Sequence, residues 1–524
     1  MSSQTPTAFI STKMRHGRPG ILRNIFSNWG SYVIAMGVNF FLSPYVVRKL
    51  GTTGYGVWTL ILALTGYLGL LDLGVRGAVT RYVAKFHAQI QHDRSSHVAS
   101  SAMVIFSTAG LLAILASAIM AGFVVQHLDI PPQYHFAARL VLVVIGLNIA
   151  ASLVNGVYGG ILVGLQRFDL TNSIEVGINI LRAGATVLAL HLGRGIITLA
   201  CLQLGFTAAR WVVNIILVWH QYPELRIHPS LADRSGVKLI FSFSVFSFLL
   251  HVSGSLIYAT DNVVIGACLP VAAVTFYAIA GNLAEYTRTL VSGISQTMTP
   301  LASSTEAIHD PQQLQRVVLI GARAGSMVVL PIAITFMLRG SRFIGLWMGP
   351  EYAETSGKVI WILSLTLLFW AGNSVTAGSL LGLSKHKPLV PVMLSEGLCN
   401  LALSILWVKR MGILGVAWGT VIPSIGSSLL FWPWYVRRSL GIQPLTYAIS
   451  VWLRPMLAIL PFALGTCAVD HYWPAEHLIL FFLQVVLVLP LALAGYWLIC
   501  LDKTQRKDYA RGFSQSFARV FARC

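Results

Sequence analysis

Charge is scarce in this sequence, and negative charge most of all. Only 10% of the 524 residues are Asp, Glu, Lys or Arg, and the 37 Lys and Arg outnumber the 18 Asp and Glu about two to one. Soluble domains carry about 25% charged residues, so a soluble globular protein is excluded. Hydrophobic residues at 56% and a mean hydropathy of +0.71 make this a polytopic membrane chain. Cysteine is also sparse. The six (Cys201, Cys268, Cys399, Cys467, Cys500, Cys524) fall mostly in apolar stretches without CxxC or Cys/His spacing, which excludes a disulfide framework and a cysteine metal site. No nucleotide-binding motif of the Walker A type occurs, so the chain does not hydrolyse ATP by itself.

Long loops are missing too. The largest outward one, about 339–357, is too short for a folded domain. No outward carboxylate pair, Ser/His/Asp grouping or Asp-rich motif for a diphosphate-bound Mg²⁺ is visible, so neither an enzyme nor a cofactor is expected. Asp470, His471, Glu476 and His477 cluster in the last outward loop and read as solvated turn residues rather than a metal site. The net charge of +19 invites a nucleic-acid reading. In a membrane chain it reports instead the enrichment of Lys and Arg on the cytoplasmic side. The residues up to about Ile21 are polar and basic without a short apolar core and cleavage site, so the first span is expected to act as an uncleaved signal-anchor.

What is present is a series of apolar windows, each long enough to cross about 30 Å of hydrocarbon. They run at about 25–47, 55–80, 98–125, 136–163, 170–192, 195–219, 238–266, 272–298, 316–338, 358–381, 388–408, 412–435, 447–469 and 477–501, fourteen in all. With the N-terminus inside, cytoplasmic segments hold about 23 of the 37 Lys and Arg, the opposite side about nine and the helices about five. That bias places both termini in the cytoplasm. A repeat is visible as well. Val157-Tyr-Gly-Gly-Ile-Leu-Val-Gly-Leu-Gln-Arg parallels Val375-Thr-Ala-Gly-Ser-Leu-Leu-Gly-Leu-Ser-Lys, 218 residues on, and Gly195-Ile-Ile parallels Gly412-Ile-Leu, 217 on. The expected organisation is an all-α protein of two pseudo-repeated six-helix bundles around a central cavity, plus a C-terminal hairpin. Its segments are 1–24 (basic N-terminus), 25–220 (first bundle), 221–237 (linker), 238–436 (second bundle), 447–501 (hairpin) and 502–524 (basic tail). Repeated halves with a site between them are a transporter design.

Polar residues inside the spans are the functional candidates, because each charge in lipid costs free energy. Span 1 carries Asn28, Ser31, Tyr32, Asn39 and Ser43, and span 7 carries Ser244, Ser247, His251, Ser255, Tyr258 and Asn262, at helical spacing. Such stripes either line a watery cavity that hydrogen-bonds a sugar-like ligand or glue helices together. His251 is either a hydrogen-bonded helix residue or a proton carrier. Asp72 with Arg76, Glu285 with Arg288 and Glu175 with Arg182 are spaced to share helix faces, as substrate or ion sites or as structural pairs. Arg81 and Lys85 are placed to snorkel to the cytoplasmic surface. Arg182, Arg210 and Arg323 stand out. The first two lie near mid-span with no acid within one turn, and guanidinium groups in a polar cavity suit a phosphate or pyrophosphate. Asp261 and Glu396 are either ion sites or structural partners.

Two stretches carry a family resemblance: Leu50-Gly-Thr-Thr-Gly-Tyr-Gly-Val-Trp, and Leu71-Asp-Leu-Gly-Val-Arg-Gly-Ala-Val-Thr-Arg-Tyr-Val-Ala. The chain resembles the polysaccharide-repeat flippases of the multidrug/oligosaccharidyl-lipid/polysaccharide exporter superfamily. The resemblance implies a V-shaped transporter of the bacterial inner membrane that moves undecaprenyl-diphosphate-linked sugars outward by alternating access. Basic cavity residues would meet the diphosphate, with H⁺ or Na⁺ as the drive and other polysaccharide-assembly proteins as partners. Arg76, Arg182, Arg210, Arg288 and Arg323, with His251, Tyr258 and Asn39, are the substrate candidates, and Asp72, Glu175, Asp261, Glu285 and Glu396 the ion-coupling candidates. A cation-coupled drug antiporter of the same superfamily is the nearest alternative. Those transporters often depend on an acid in the first helix, and none occurs between Ile25 and Val47. A lipid II flippase is a second alternative. A membrane polymerase or ligase would need the large outward loop that is missing.

Overall fold

The computed structural model describes residues 21–306, 310–502 and 506, with the side chains of 21–29, 32, 124 and 243–247 outside that description. The basic segment 1–24 and the tail beyond 502 therefore lie essentially outside the described residues, as do the side chains of Asn28, Tyr32, Ser244 and Ser247.

Every described element is a helix. Lipid offers the backbone no hydrogen-bond partners, and helices satisfy their own. The chain forms two units, 1–252 and 253–524. The first holds α1 (Ile21–Gly66), α2 (Val75–Ala88), α3 (His92–His127), α4 (His135–Gly164), α5 (Phe168–His191) and α6 (Ile196–Gln221). The break between units falls inside α7 (Arg234–Tyr258), which is followed by α8 (Thr260–Cys268). Then come α9 (Ala272–Glu306), α10 (Pro311–Trp347), α11 (Pro350–Gly382), α12 (Leu389–Met411), α13 (Ile413–Gly426) and α14 (Trp432–Leu440). Four shorter helices close the chain: α15 (Pro444–Ala448), α16 (Arg454–Ala458), α17 (Leu460–Tyr472) and α18 (Leu478–Gly495).

Among the described residues eleven helices are long and apolar enough to cross a membrane, twelve if the bent pair α7/α8 counts as one, against the fourteen expected. Two places account for the difference. Residues 33–88 count once, although the chain breaks at Gly51 (φ 71), a conformation glycine adopts without a Cβ penalty. The stretch is 56 residues long, and at about 1.5 Å per residue it would run about 84 Å if straight, enough for two crossings. The second is α9, whose 35 residues (272–306) include Asn282, Glu285, Arg288 and a run of Ser and Thr; it is absent from the eleven. The outward segment 339–357, expected as a loop, is almost wholly helical. α10 runs to Trp347, α11 starts at Pro350, and only two residues separate them.

Inside each unit the sequence repeat becomes a repeated joint. In the first, α2 lies so close to α4 that a Cβ on Gly160 would stand 3.2 Å from the Arg76 carbonyl oxygen, and one on Gly164 2.9 Å from that of Thr80. The Thr80 hydroxyl donates across this contact to the Gly160 carbonyl at 3.2 Å. In the second, Gly378 and Gly382 hold the same places against α9, and the Thr299 hydroxyl donates to the Gly378 carbonyl at 3.0 Å. Small residues that bring backbones together are the usual basis of helix association in lipid. Both joints end alike. Gln166 (φ 60) and Ser384 (φ 55) are left-handed, and the next residue donates back to Leu162 (3.0 Å) and Leu380 (2.8 Å), a helix stop that satisfies otherwise orphaned carbonyls. The basic residue that follows then latches a later helix: Arg167 on the Gln221 side chain at the end of α6, Lys385 on the Ser439 carbonyl in α14. Residues 160 and 378, 167 and 385, and 221 and 439 are each 218 apart.

The second unit adds three π-helical turns, at Ser427–Phe431, Ile449–Leu453 and Tyr496–Cys500. A π turn leaves backbone groups off the regular ladder, and polar side chains meet them here. Arg323 donates to the carbonyls of Ser450 and Cys500 and to the Ser450 hydroxyl, and Asn373 donates to the Ser428 hydroxyl at 3.1 Å.

Candidate functional site

Two polar clusters among the described residues, one in each unit, bring several of the candidate charges together with partners on neighbouring helices. On α5 and α6 of the first unit, Arg210 Nη1 lies 2.5 Å from Glu175 Oε2. Asn179 donates from Nδ2 to Glu175 Oε1 at 3.3 Å and accepts at Oδ1 from Arg182 Nη2 at 3.0 Å. The spacing of four and then three along α5 puts Glu175, Asn179 and Arg182 on one face. Arg182 and Glu175 are thus joined through an amide rather than as the direct pair their spacing admits. Arg210 finds its acid on the neighbouring helix, 35 residues away in sequence, which a search within one turn misses. Two guanidinium groups against one carboxylate leave the cluster one positive charge in excess. Glu175 is about half exposed and Arg210 about a quarter, so the cluster is reachable from outside the unit.

The second cluster surrounds Asp261, in the first turn of α8, and has the opposite character. Asp261 is only 4% exposed. The Tyr277 hydroxyl (2.5 Å) and the Thr420 hydroxyl (2.8 Å) donate to Oδ2, and Asn400 Nδ2 reaches Oδ1 at 3.4 Å. Asn400 also donates to the Ile257 carbonyl at 3.0 Å and accepts from Ser404 at 3.0 Å. Among the described residues no cation is ion-paired with this carboxylate. A buried carboxylate with neutral partners alone is costly, and only hydroxyl and amide donors hold this one. Oxygen atoms from α8, α9, α12 and α13 converge on it.

Two further acids of the second unit, Glu396 and Glu285, lie on α12 and α9. Glu396, one turn before Asn400 on α12, accepts from Ser427 at 2.7 Å. Glu285 is half exposed and pairs with buried Arg288 at 3.5 Å, and the Arg288 guanidinium lies 4.4 Å from the centre of the Tyr258 ring. The polar stripe expected along span 7 is not one straight face. The helix bends by 42° between Tyr258 and Thr260, so Asn262 lies past the bend from His251 and Ser255. His251 and Asn39 are exposed, and neither belongs to the two clusters.

Two expectations change, for Arg323 and Asp470, while Arg76 forms the pair with Asp72 that its spacing admits. Arg323 is 8% exposed, and its donors go to backbone and hydroxyl oxygens of the last hairpin. It braces that hairpin and is not available to an anion. Arg76 pairs with Asp72 at 3.7 Å across a break formed by two left-handed residues, Leu73 (φ 50) and Gly74 (φ 76). Asp470 is not a solvated turn residue: it sits in the last turn of α17 and holds both Arg339 (2.9 Å) and Arg342 (3.2 Å). Among the described residues no group of three or more His, Cys, Asp or Glu could hold a metal ion.

The partners Tyr277, Asn400 and Thr420 were not legible as site residues, since nothing in their local spacing points to Asp261. Asn155 and Asn373 were within reach. They are 218 apart, two residues before Val157 and Val375, and bond to Asn214 and Ser428.

A model of the family described as polysaccharide biosynthesis protein matches residues 21–306, more than half of the chain. The chain belongs to that family. A protein of Shigella flexneri described as an O-antigen transporter is 23% identical over 419 residues, 80% of this chain and 98% of the other. A Haloferax volcanii protein described as the flippase AglR is 21% identical over 406 residues, 77% and 80% of the two chains. Among solved structures the lipid II flippase MurJ in an inward closed conformation aligns with a TM-score of 0.72 at 14% identity, over 91% of this chain and 98% of that one. An inward-facing multidrug MATE transporter aligns at 0.66 and 14% identity, over 79% and 95%. Membership places this multi-pass membrane protein in the exporter superfamily that its sequence resembles, and the solved structures establish a shared fold.

Proposed function

We propose that this protein is a flippase that carries a polyprenyl-diphosphate-linked oligosaccharide from the inner to the outer leaflet of the bacterial inner membrane, for cell-surface polysaccharide synthesis, with both termini cytoplasmic. The coarser statement, a membrane transporter of the polysaccharide family, follows from membership and from relatives described as transporters and flippases. The observation that carries the finer one is the surplus positive charge on α5 and α6. A diphosphate is the one strongly anionic part of such a substrate, and Arg binds it through paired hydrogen bonds. Arg182, held at one edge by Asn179, is the guanidinium without a carboxylate of its own, and Arg210 is the second contact.

Asp261 is assigned to ion coupling. Its oxygens, with those of Asn400 and Thr420, suit a proton or Na⁺, whose arrival removes the cost of the bare buried charge. Asp72, Glu175 and Glu285 already have guanidinium partners, which favours Asp261 over them. The drug-antiporter alternative is disfavoured by the absence of an acid between Ile25 and Val47.

The test is reconstitution in liposomes, following how fast a labelled lipid-linked oligosaccharide becomes accessible on the far side. Acceleration over empty liposomes is expected. Folded protein that leaves the rate at the empty-liposome level overturns the proposal.

A further inference from the structure

The surplus charge on α5 and α6 is not the only one. An open pocket of about 390 Å³ lies in the second unit where α10 and α17 end, lined by Leu338, Arg339, Arg342, Cys467, Asp470 and His471. It shares no residue with the Asp261 cluster. Arg339 is 2% exposed and held by three partners. Nε lies 2.9 Å from Asp470 Oδ1, Nη2 donates to Gln484 Oε1 at 2.5 Å, and the guanidinium lies 4.5 Å from the centre of the Phe481 ring. Gln484 in turn donates to the Trp473 carbonyl at 2.7 Å, which ties the wall to the loop that follows α17.

Arg342 differs. Its Nε lies 3.2 Å from the same Asp470 oxygen, its side chain is 35% exposed, and its Nη groups donate no hydrogen bond within the described protein. Two guanidinium groups over one carboxylate leave a positive charge at the mouth, with half of a bidentate fork unused. Arg in that state matches a phosphate oxygen pair.

The pocket also has an apolar approach. Leu457, Leu460 and Leu464, all exposed, continue at steps of three and four into Cys467 and His471 on the pocket wall. One helical track thus runs about 21 Å from Leu457 to His471. Half of a bilayer's hydrocarbon is about 15 Å, so the track matches one leaflet's acyl chain topped by its head group. A free phosphate would use the arginine and leave the leucines without a role.

We infer that this pocket binds the phosphate head of an anionic phospholipid from the bilayer, with Arg342 as the contact, Arg339 and Asp470 as its support, and the α16–α17 leucines as the seat of one acyl chain. The site is separate from the transport cargo, and the inference does not depend on the proposed substrate.

Native mass spectrometry of the full-length protein in nonionic detergent tests it, with phosphatidylglycerol and phosphatidylcholine of equal chain length added in turn. The wild type is expected to retain one phosphatidylglycerol about tenfold more tightly than phosphatidylcholine. Arg342→Gln is expected to lose that preference while keeping the wild-type thermal transition, since Arg342 lies at the surface. Leu464→Ser is expected to weaken retention of both lipids. Equal retention of the two lipids by the wild type, or an undiminished preference in Arg342→Gln, overturns the site. Inorganic phosphate that displaces the lipid equally well from the wild type and Leu464→Ser overturns the acyl track and assigns the pocket to a free anion.

Discussion

The α5–α6 cluster and the Asp261 cluster share a vocabulary of acid, amide and neighbouring helix, yet they are opposites. The first has one carboxylate for two guanidinium groups and is open to its surroundings. The second has one carboxylate, hydroxyl and amide partners, and almost no exposure. The sign of the missing charge is what separates them. Under the proposed function, the reachable site short of negative charge is the one for an anion, and the buried site short of positive charge the one for a proton or metal cation. A transporter that couples an anionic cargo to a cation gradient needs one of each.

The sharpest break in that contrast is Asp261→Asn, which keeps the shape and removes the charge. Coupling free energies between sites are typically 1–3 kcal/mol, about 5- to 150-fold, and stimulation of transport by an imposed proton or sodium gradient should fall by that factor, toward none. A variant that keeps full stimulation would move the coupling site elsewhere. Next is Arg182→Ala. A hydrogen bond to a charged group contributes about 1.5–3 kcal/mol, so transport at low substrate should drop about tenfold to a hundredfold, with partial recovery in Arg182→Lys. Arg323→Met probes a guanidinium of the opposite kind. Orphaned carbonyls in the last hairpin should lower stability by about 3 kcal/mol, read as a lower Tm, while the surviving folded fraction transports normally. Loss of transport without loss of stability would return Arg323 to the substrate path.

The smallest effect expected on transport is a gain. Glu175→Gln raises the α5–α6 cluster from one surplus charge to two, and exposed pairs change energies by about 0.2–1 kcal/mol. Substrate should therefore bind up to about fivefold more tightly, measured as the concentration for half-maximal flipping. Outside the membrane, Asp233 accepts hydrogen bonds from the Ser235 hydroxyl and the Gly236 N–H at the start of α7, which hold its carboxyl below the ordinary value. Because the folded-state value is depressed, the stabilisation is present above the ordinary carboxylate range and lost as pH falls through the lowered value. Asp233→Asn should flatten the acid limb of a stability-against-pH curve slightly.

Class and repeat were legible in the sequence because they rest on local signals: apolar windows, and a pattern copied 218 residues along. Thr80 with Gly160 and Thr299 with Gly378 show that copy reaching down to a single hydrogen bond. Charges inside the spans announce themselves by their cost, so Arg182 and Arg210 stand out in the sequence as candidates, with Asp261 left between an ion site and a structural partner. Their partners do not stand out, since Arg210 and Glu175 meet across two helices, and Asp261 is completed by residues up to 159 positions away. For the same reason Arg323 resembled Arg182 on paper. Only the packing of the last hairpin, whose π turns have no sequence signature, shows Arg323 held by hairpin oxygens where Arg182 has an amide partner.

The central claim is that surplus positive charge on α5–α6 handles a lipid-linked diphosphate. The direct measurement is the initial rate at which a labelled polyprenyl-diphosphate oligosaccharide crosses proteoliposomes containing wild type or Arg182→Ala at equal folded protein. The account predicts rapid crossing by the wild type and a rate lower by about tenfold or more in the variant, consistent with a lost charged hydrogen bond. Equal rates in the two, both above empty liposomes, would contradict it.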